Sequence, residues 1–498
     1  MKKYLSMICC LAVLFTAGCG DDDTGGEDGP KGEAKLTAFS FTAESNPDCL
    51  VKDYTGTISG TAVSVKVPAG TDVSALVATF ETADGESTVT VGGTPQVSGT
   101  TANDFSDPVD YLVNLGKKNA LYTVTVSELP EAVWTKVTEW EQKVTKFQLE
   151  IKPTNNMPCL ALQVPGEDAP GPVLYAELDG SNFSIETATE ETAQYPGFGF
   201  TKTGQPYIFY YSAPSKTERF GHITTFSNGK WNLQDISIIQ PLNTGYGPTI
   251  CEASNGNIFI FTANNVAGAN TAKRALNLTI FDGTSWTTDQ TIPGRTGYTY
   301  WPIARTVNDI LYLMVLNPAS PSSVSVYSYS NGTWQTIIDQ YAHPKTEDTF
   351  YTPDVQCPDM VVDKNGDIYM AICYEKCPTV LKYTAKTKEI NVVATPMPMV
   401  PSSSTGTYCR AALSPLGALY LAYFSADSND YLQVVSLDDK TKEWTTPIQI
   451  GTESIKNFEF KFAKDGTAYL VYNVSEEKTD EVVTTPAKVC LYKLATAE

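Results

Sequence analysis

From Lys35 to Ser127 apolar and polar positions alternate with a period of two. That spacing puts the apolar side chains on one face of a β-strand. Leu36, Phe39 and Phe41 open the stretch, and Val63-Ser64-Val65-Lys66-Val67 and Leu76-Val77-Ala78-Thr79-Phe80 follow. Thr88-Val89-Thr90-Val91 and Tyr122-Thr123-Val124-Thr125-Val126 complete about six or seven predicted strands. Gly, Pro and Asp fall between them at the spacing of a small β-sandwich. The pattern predicts a domain over 35–128, with Glu128-Leu129-Pro130-Glu131 as its boundary.

Beyond that boundary the pattern repeats. Gly204-Gln205-Pro206-Tyr207-Ile208-Phe209, Gly256-Asn257-Ile258-Phe259-Ile260-Phe261 and Gly366-Asp367-Ile368-Tyr369-Met370-Ala371 are alike, and similar stretches surround Tyr312, Tyr420 and Tyr469. The shared aromatic recurs at 207, 259, 312, 369, 420 and 469, a step of 49 to 57 residues. A second marker keeps phase with it at Phe183, Trp231, Trp286, Trp334, Ile390 and Trp444. Turn sequences such as Asn228-Gly229-Lys230 and Asn331-Gly332-Thr333 precede it, as in a hairpin leading to an outer strand. Four short strands per repeat of this length predict a β-propeller over 132–498.

The last repeat supplies strands around Phe458–Phe462, Tyr469–Tyr472 and Val489–Leu494, but no outer strand with a Trp. Glu131-Ala132-Val133-Trp134-Thr135-Lys136-Val137 carries one. The expectation is an all-β chain with seven blades, the last completed by the segment at Trp134 lying beside the strand of Tyr492. Such closure removes two open sheet edges.

The N-terminus reads as an export signal. Lys2 and Lys3 precede an apolar stretch from Leu5 to Phe15, too short to span a membrane as a mature helix, and Thr16-Ala17-Gly18 leads to Cys19. Residues 1–18 resemble a bacterial lipoprotein signal, which implies lipidation of Cys19 and a membrane contact through that anchor alone. Residues 19–34 have the composition of a flexible acidic tether. An acidic run after the lipidated Cys resembles the surface-export signal of Bacteroidetes lipoproteins, implying a cell-surface outer-membrane location. The stretch 35–128 resembles the immunoglobulin-like modules behind the anchor of such proteins, which serve as spacers.

Composition narrows the chemistry. The chain has 35 Lys+Arg against 56 Asp+Glu, a net charge of −21, so nucleic acid is not an expected partner. His occurs twice, at His222 and His343, which leaves little room for histidine-cluster chemistry. Neither a cofactor nor a metal is expected: Asp363-Lys364-Asn365-Gly366-Asp367 has oxygen ligands at calcium-like spacing but sits on the repeated hairpin turn. Eight cysteines lie beyond Cys19. Cys357, Cys373, Cys377 and Cys409 cluster in two adjacent repeats, where export favours a disulfide involving Cys377.

The loops leading into the innermost strands are rich in aromatics. Tyr195, Tyr246, Tyr298, Tyr300, Trp301, Phe350, Tyr351, Tyr408 and Phe458 lie there, together with Arg305 and Arg410 out of five arginines in all. Other loops of the same face offer Lys216, Glu218, Arg219, Asn264, Asn265, Lys273, Arg274 and Asp427. Aromatic faces stack on sugar rings while amides and charges bond hydroxyls. The candidate ligand-binding set is therefore Tyr195, Tyr246, Tyr300, Trp301, Arg305, Tyr351, Tyr408, Arg410 and Phe458, and the expected ligand a glycan or polysaccharide.

Phe281-Asp282-Gly283-Thr284-Ser285-Trp286 resembles a degenerate Asp box of the sialidase propellers, but lacks its leading Ser-x-Asp-x-Gly spacing. That family binds a carboxylate with three arginines, and no third arginine begins an inner strand here. Glu252, Asp354, Asp359 and Glu459 are the carboxylates placed for glycosidase chemistry, which needs two that share a cavity. No catalytic set is legible. The reading is a non-catalytic, glycan-capturing envelope lipoprotein. The alternatives are a propeller glycosidase or lyase, and an adhesion scaffold with protein partners in the outer membrane.

Overall fold

The computed structural model describes residues 32–496 except 167–169, 192, 213–219, 235–247, 266–273, 290–291, 294–299, 318–322, 343–357, 375–376, 399–408, 425–430, 454 and 480–481. Described residues form strands and turns and no helix. They divide into two compact units, one with Tyr54–Lys66 and Val73–Ser127 as its main segments, the other with Glu128–Glu498 together with Asn46–Asp53 and Val67–Asp72.

In the first unit a six-stranded sheet has the order Thr57–Ser59, Ala62–Val67, Lys118–Glu128, Val109–Leu115, Thr88–Val91, Thr94–Pro95. A three-stranded sheet places Leu36–Phe41 between Tyr54–Thr55 and Thr79–Thr82. Alternation does what the sequence implies: Val63, Val65 and Val67 are buried on one strand, and Tyr111, Val113 and Leu115 on another. Phe39 meets Tyr111 edge-to-face at 5.3 Å, joining the two sheets, and Phe41 meets Phe105 at 4.9 Å. The run 76–80, expected as one strand, is two. Leu76–Val77 pairs with Ala102–Asn103 and Thr79–Thr82 with Leu36–Phe41, because the Ala78 carbonyl instead accepts the amide of Gly99.

The described residues of the second unit form seven four-stranded antiparallel sheets. Their first strands are Lys146–Ile151, Gln194–Phe200, Thr249–Glu252, Tyr300–Val307, Asp359–Val362, Cys409–Leu413 and Ile455–Phe462. Each neighbours the next, and Ile455–Phe462 neighbours Lys146–Ile151, so the order closes on itself in a propeller-like arrangement. Second strands are buried almost throughout, as in Ile310–Asn317, whereas fourth strands such as Asn182–Thr189 face solvent along most of their length.

The core of this unit lies between sheets rather than inside them. Tyr312, Met314 and Leu316 of one sheet pack on Met360, Met370 and Ile372 of the next, and similar clusters fill the other interfaces. Phe183, Trp231, Trp286, Trp334, Ile390 and Trp444 each rest against one such cluster. Trp134 does the same at the remaining interface, 5.8 Å from Phe460.

The strand Val133–Glu141 pairs antiparallel with Lys488–Ala495, setting Trp134 opposite Leu494 and Lys136 opposite Tyr492. It completes the sheet that also holds Ile455–Phe462 and Ala468–Val474. The pairing expected between the Trp134 segment and the Tyr492 strand is present. Charge reinforces it. Glu139 receives Lys136 at 2.8 Å and Lys488 at 3.1 Å, and Lys488 also reaches Glu453 at 2.9 Å.

Candidate functional site

First strands of the second unit wall a cavity of about 270 Å³. Side chains at alternate positions point the same way on a strand. Gln148 and Glu150 therefore share one wall, Ile303 and Arg305 another, and Asn457, Glu459 and Lys461 a third. Gly197 and Gly199 lie on Gln194–Phe200, the first strand next to Lys146–Ile151. A Cβ at Gly197 would lie 2.6 Å from Pro248 Cγ and 2.9 Å from the Pro248 carbonyl oxygen. Only glycine allows the neighbouring first strand to approach this closely.

Ion pairs stitch the first strands together. Arg410 donates from Nε to Glu459 Oε2 at 3.1 Å and from Nη2 to Glu459 Oε1 at 3.0 Å, a two-pronged bond between adjacent strands. Arg305 Nη2 donates to Asp359 Oδ1 at 3.0 Å, and Arg305 Nη1 to the Ala304 carbonyl. Lys461 bonds Glu150 across the closing junction. Amides extend the same stitching: Gln148 Oε1 accepts the Phe198 amide at 2.7 Å, and Thr249 Oγ1 the Ala304 amide at 3.3 Å.

Two aromatics line the cavity by a shared device. Tyr195-Pro196 and Trp301-Pro302 each sit at a register shift in their first strand, between Gln194 and Gly197 and between Tyr300 and Ile303. Both aromatics have left-handed backbone, φ 50° at Tyr195 and 43° at Trp301. A bulge of this kind re-aims a side chain. Left-handed backbone is unfavourable for a bulky residue and persists only where surroundings hold it. The following proline fixes its own φ and cannot donate to the ladder. Both aromatics are partly exposed.

Of the residues expected at the site, Tyr195, Trp301, Arg305 and Arg410 line this one cavity. Phe458 requires correction. It is fully buried, with its ring 5.9 Å from that of Phe424, inside the core between two sheets. A register shift between Ile455 and Asn457 turns Asn457 toward the cavity and Phe458 away from it. Tyr246, Tyr298, Phe350, Tyr351 and Tyr408 lie outside the described residues, as do Lys216, Glu218, Arg219, Lys273, Asp354, Asp427, Cys357 and Cys19. Tyr300, Asn264, Asn265 and Arg274 fall on strands whose side chains at those positions are likewise outside the description. Of the two partners expected for a disulfide at Cys377, Cys357 or Cys373, only Cys373 is among the described residues. Cys373 is buried and Cys377 partly exposed.

Sequence reasoning missed Lys146, Gln148, Glu150, Pro248, Asn457 and Lys461, all on the cavity wall. Apart from Pro248, their one signal was position, at alternate places along two first strands. The carboxylates it singled out behave differently from one another. Asp359 and Glu459 each face an arginine of a neighbouring strand, whereas Glu252 accepts the Lys202 amide away from the cavity.

Two motifs prove to be turns. Asp282 accepts the Thr284 and Ser285 amides at 2.8 Å, and these bonds hold its carboxyl well below the usual range. Asp363 Oδ1 accepts the amides of Asn365 and Asp367 in the same manner. Glu139, Glu453 and Cys490 come within metal-ligand reach of one another. Lys136 and Lys488 already meet those carboxylates, so the charge a cation would supply is present.

Comparison with known proteins finds a family match at the N-terminal part and distant likenesses among solved structures. None of the curated proteins matches. An α-L-arabinanase of Penicillium chrysogenum complexed with arabinobiose is 14% identical, with 60% of this chain and 92% of that one covered at a TM-score of 0.36. A lectin of Aleuria aurantia in complex with Fucα1-6GlcNAc is 12% identical, covering 63% of this chain and 99% of that one at 0.41. A DUF4623 family protein of Bacteroides eggerthii is 9% identical, covering 92% and 98% at 0.34. Residues 39–126 match the family model described as SGBP, N-terminal.

Proposed function

We infer that this chain is a surface glycan-binding protein that captures a glycan in the cavity of its second unit and does not cleave it. Surface glycan-binding proteins of Bacteroidetes are the family behind the N-terminal match, which supports both a glycan ligand and a place on the outer-membrane surface. In this reading Cys19 carries the lipid, 19–34 is the tether and 35–128 an immunoglobulin-like spacer. Residues 132–498 form a seven-bladed propeller, a reading supported by the seven sheets and the closed order of their first strands.

One observation carries the site: Tyr195 and Trp301, each fixed by a bulge and a following proline, line one cavity whose walls are amides and charges. An apolar ring beside convergent polar groups is what a sugar needs, since its ring faces stack and its edges hydrogen-bond. At about 270 Å³ the cavity is at the small end for ligand sites, suited to a terminal or short stretch of a chain rather than to a long cleft. Cleavage would need two carboxylates facing one bond. Here Glu150, Asp359 and Glu459 each face a cation of a neighbouring strand instead.

Affinity electrophoresis of the exported chain against host and plant polysaccharides, with chromatography of the supernatant, tests the reading. Retention without released products supports capture. Released sugars would move the protein to an enzyme class, and no retention across the panel would leave a protein-binding scaffold.

A further inference from the structure

We propose that the cavity takes a carboxylate-bearing sugar residue, a uronate unit of an acidic glycan, through Lys146 and the open edge of Arg305. The proposal rests on the glycan-capture reading and names its substrate class.

The cavity runs against the charge of the rest of the protein. The whole chain carries −21, yet the cavity wall holds four cations against three carboxylates. Each carboxylate is bonded to one cation of an adjoining strand, as described above. Lys146 is left over: it is exposed, lines the cavity and makes no ion pair with a described residue.

Arg305 adds directional donors. Its side chain is 30% exposed. It donates to Asp359 and to the Ala304 carbonyl, and a guanidinium has five N–H groups, so donors remain on its open side. A planar guanidinium edge matches a planar carboxylate, and a lysine ammonium supplies the point charge. Both act where neighbouring protein replaces part of the water, which strengthens them relative to bulk solvent.

An acidic protein repels an acidic polymer at long range, an effect that physiological salt screens within about 8 Å. Only a local positive site can then hold such a ligand. Tyr195 and Trp301 would fix the sugar ring by its faces, and the carboxylate on its edge would meet Lys146 and Arg305.

The test uses matched pairs of oligosaccharides: galacturonan, glucuronan and mannuronan fragments, each beside its carboxyl-reduced neutral counterpart. Titration calorimetry of the full exported chain should show at least one acidic form bound about ten-fold tighter than its neutral twin. Lys146→Gln should abolish most of that preference, and Arg305→Gln should do the same. Trp301→Ala should weaken acidic and neutral forms alike. Lys146 is exposed and makes no ion pair with a described residue, so its variant remains decisive if loss of Arg305 impairs folding. Neutral forms bound as well as acidic ones, with sensitivity to Trp301→Ala, would overturn this proposal and leave glycan capture standing. No binding of either form would overturn this proposal, and retention on the polysaccharide panel then separately decides whether glycan capture falls with it.

Discussion

Arg410 and Glu459 are joined by two parallel hydrogen bonds, at 3.1 and 3.0 Å, across adjacent first strands. Their side chains are 14% and 17% exposed. Arg410→Gln leaves a largely buried carboxylate without its cation. Such losses exceed those of surface pairs, and about 2 kcal/mol of destabilisation is expected. Replacing both residues by apolar ones of similar size should cost less than the single change. Chemical denaturation of the two variants measures the difference.

The closing strand makes a second prediction. Trp134→Ala removes a ring packed on Phe460 where the first strand after Glu128 pairs with the last strand of the second unit. A partly buried aromatic lost from such a site costs about 2–3 kcal/mol. Trp231→Ala, at the equivalent place inside the chain, should cost a similar amount. A melting temperature unchanged by Trp134→Ala would deny the closing strand its structural role.

Stability should also respond to acid. Burial alone would raise the Glu453 carboxyl, but hydrogen bonds from Lys488, Tyr472 and the Thr452 amide outweigh it and hold the group at about 2. A depressed folded value means the stabilisation is complete above the unfolded value near 4.5 and is lost as pH falls toward 2. Glu139, also held low by Lys136 and Lys488, acts in the same direction. Glu453→Gln should flatten the fall in stability between about pH 4.5 and pH 2, measured by denaturation at a series of pH values.

Gly197→Ala tests the close approach of first strands. The new methyl would meet the Pro248 ring and carbonyl, and the strands must separate. Overpacking of this kind costs about 1–3 kcal/mol. Because Pro248 lines the cavity, ligand affinity should fall along with stability.

Much of the fold was legible because its signals repeat. The aromatic at Tyr207, Phe259, Tyr312 and their equivalents is core between sheets, so every repeat had to keep it. Trp134 was legible for the same reason, as the member missing from a series. The site was legible only in part. Tyr195, Trp301, Arg305 and Arg410 stand out by residue type, but Gln148, Asn457 and Lys461 are ordinary residues made special by which face of a short strand they occupy. Phe458 shows the limit. One extra residue in a bulge reverses the alternation after it, and a pattern of period two cannot reveal where that bulge lies.

In the proposed function a glycan rests on the two bulge-held aromatics, Tyr195 and Trp301. The direct measurement is calorimetric affinity for an oligosaccharide released from a retained polysaccharide, using the native chain, Trp301→Ala and Tyr195→Ala. Each substitution is expected to cost about 2 kcal/mol, or roughly thirty-fold in affinity, in variants that still fold, with some fall in melting temperature because both rings also rest on core between sheets. Affinity unaltered by both substitutions would contradict the account and place the ligand elsewhere.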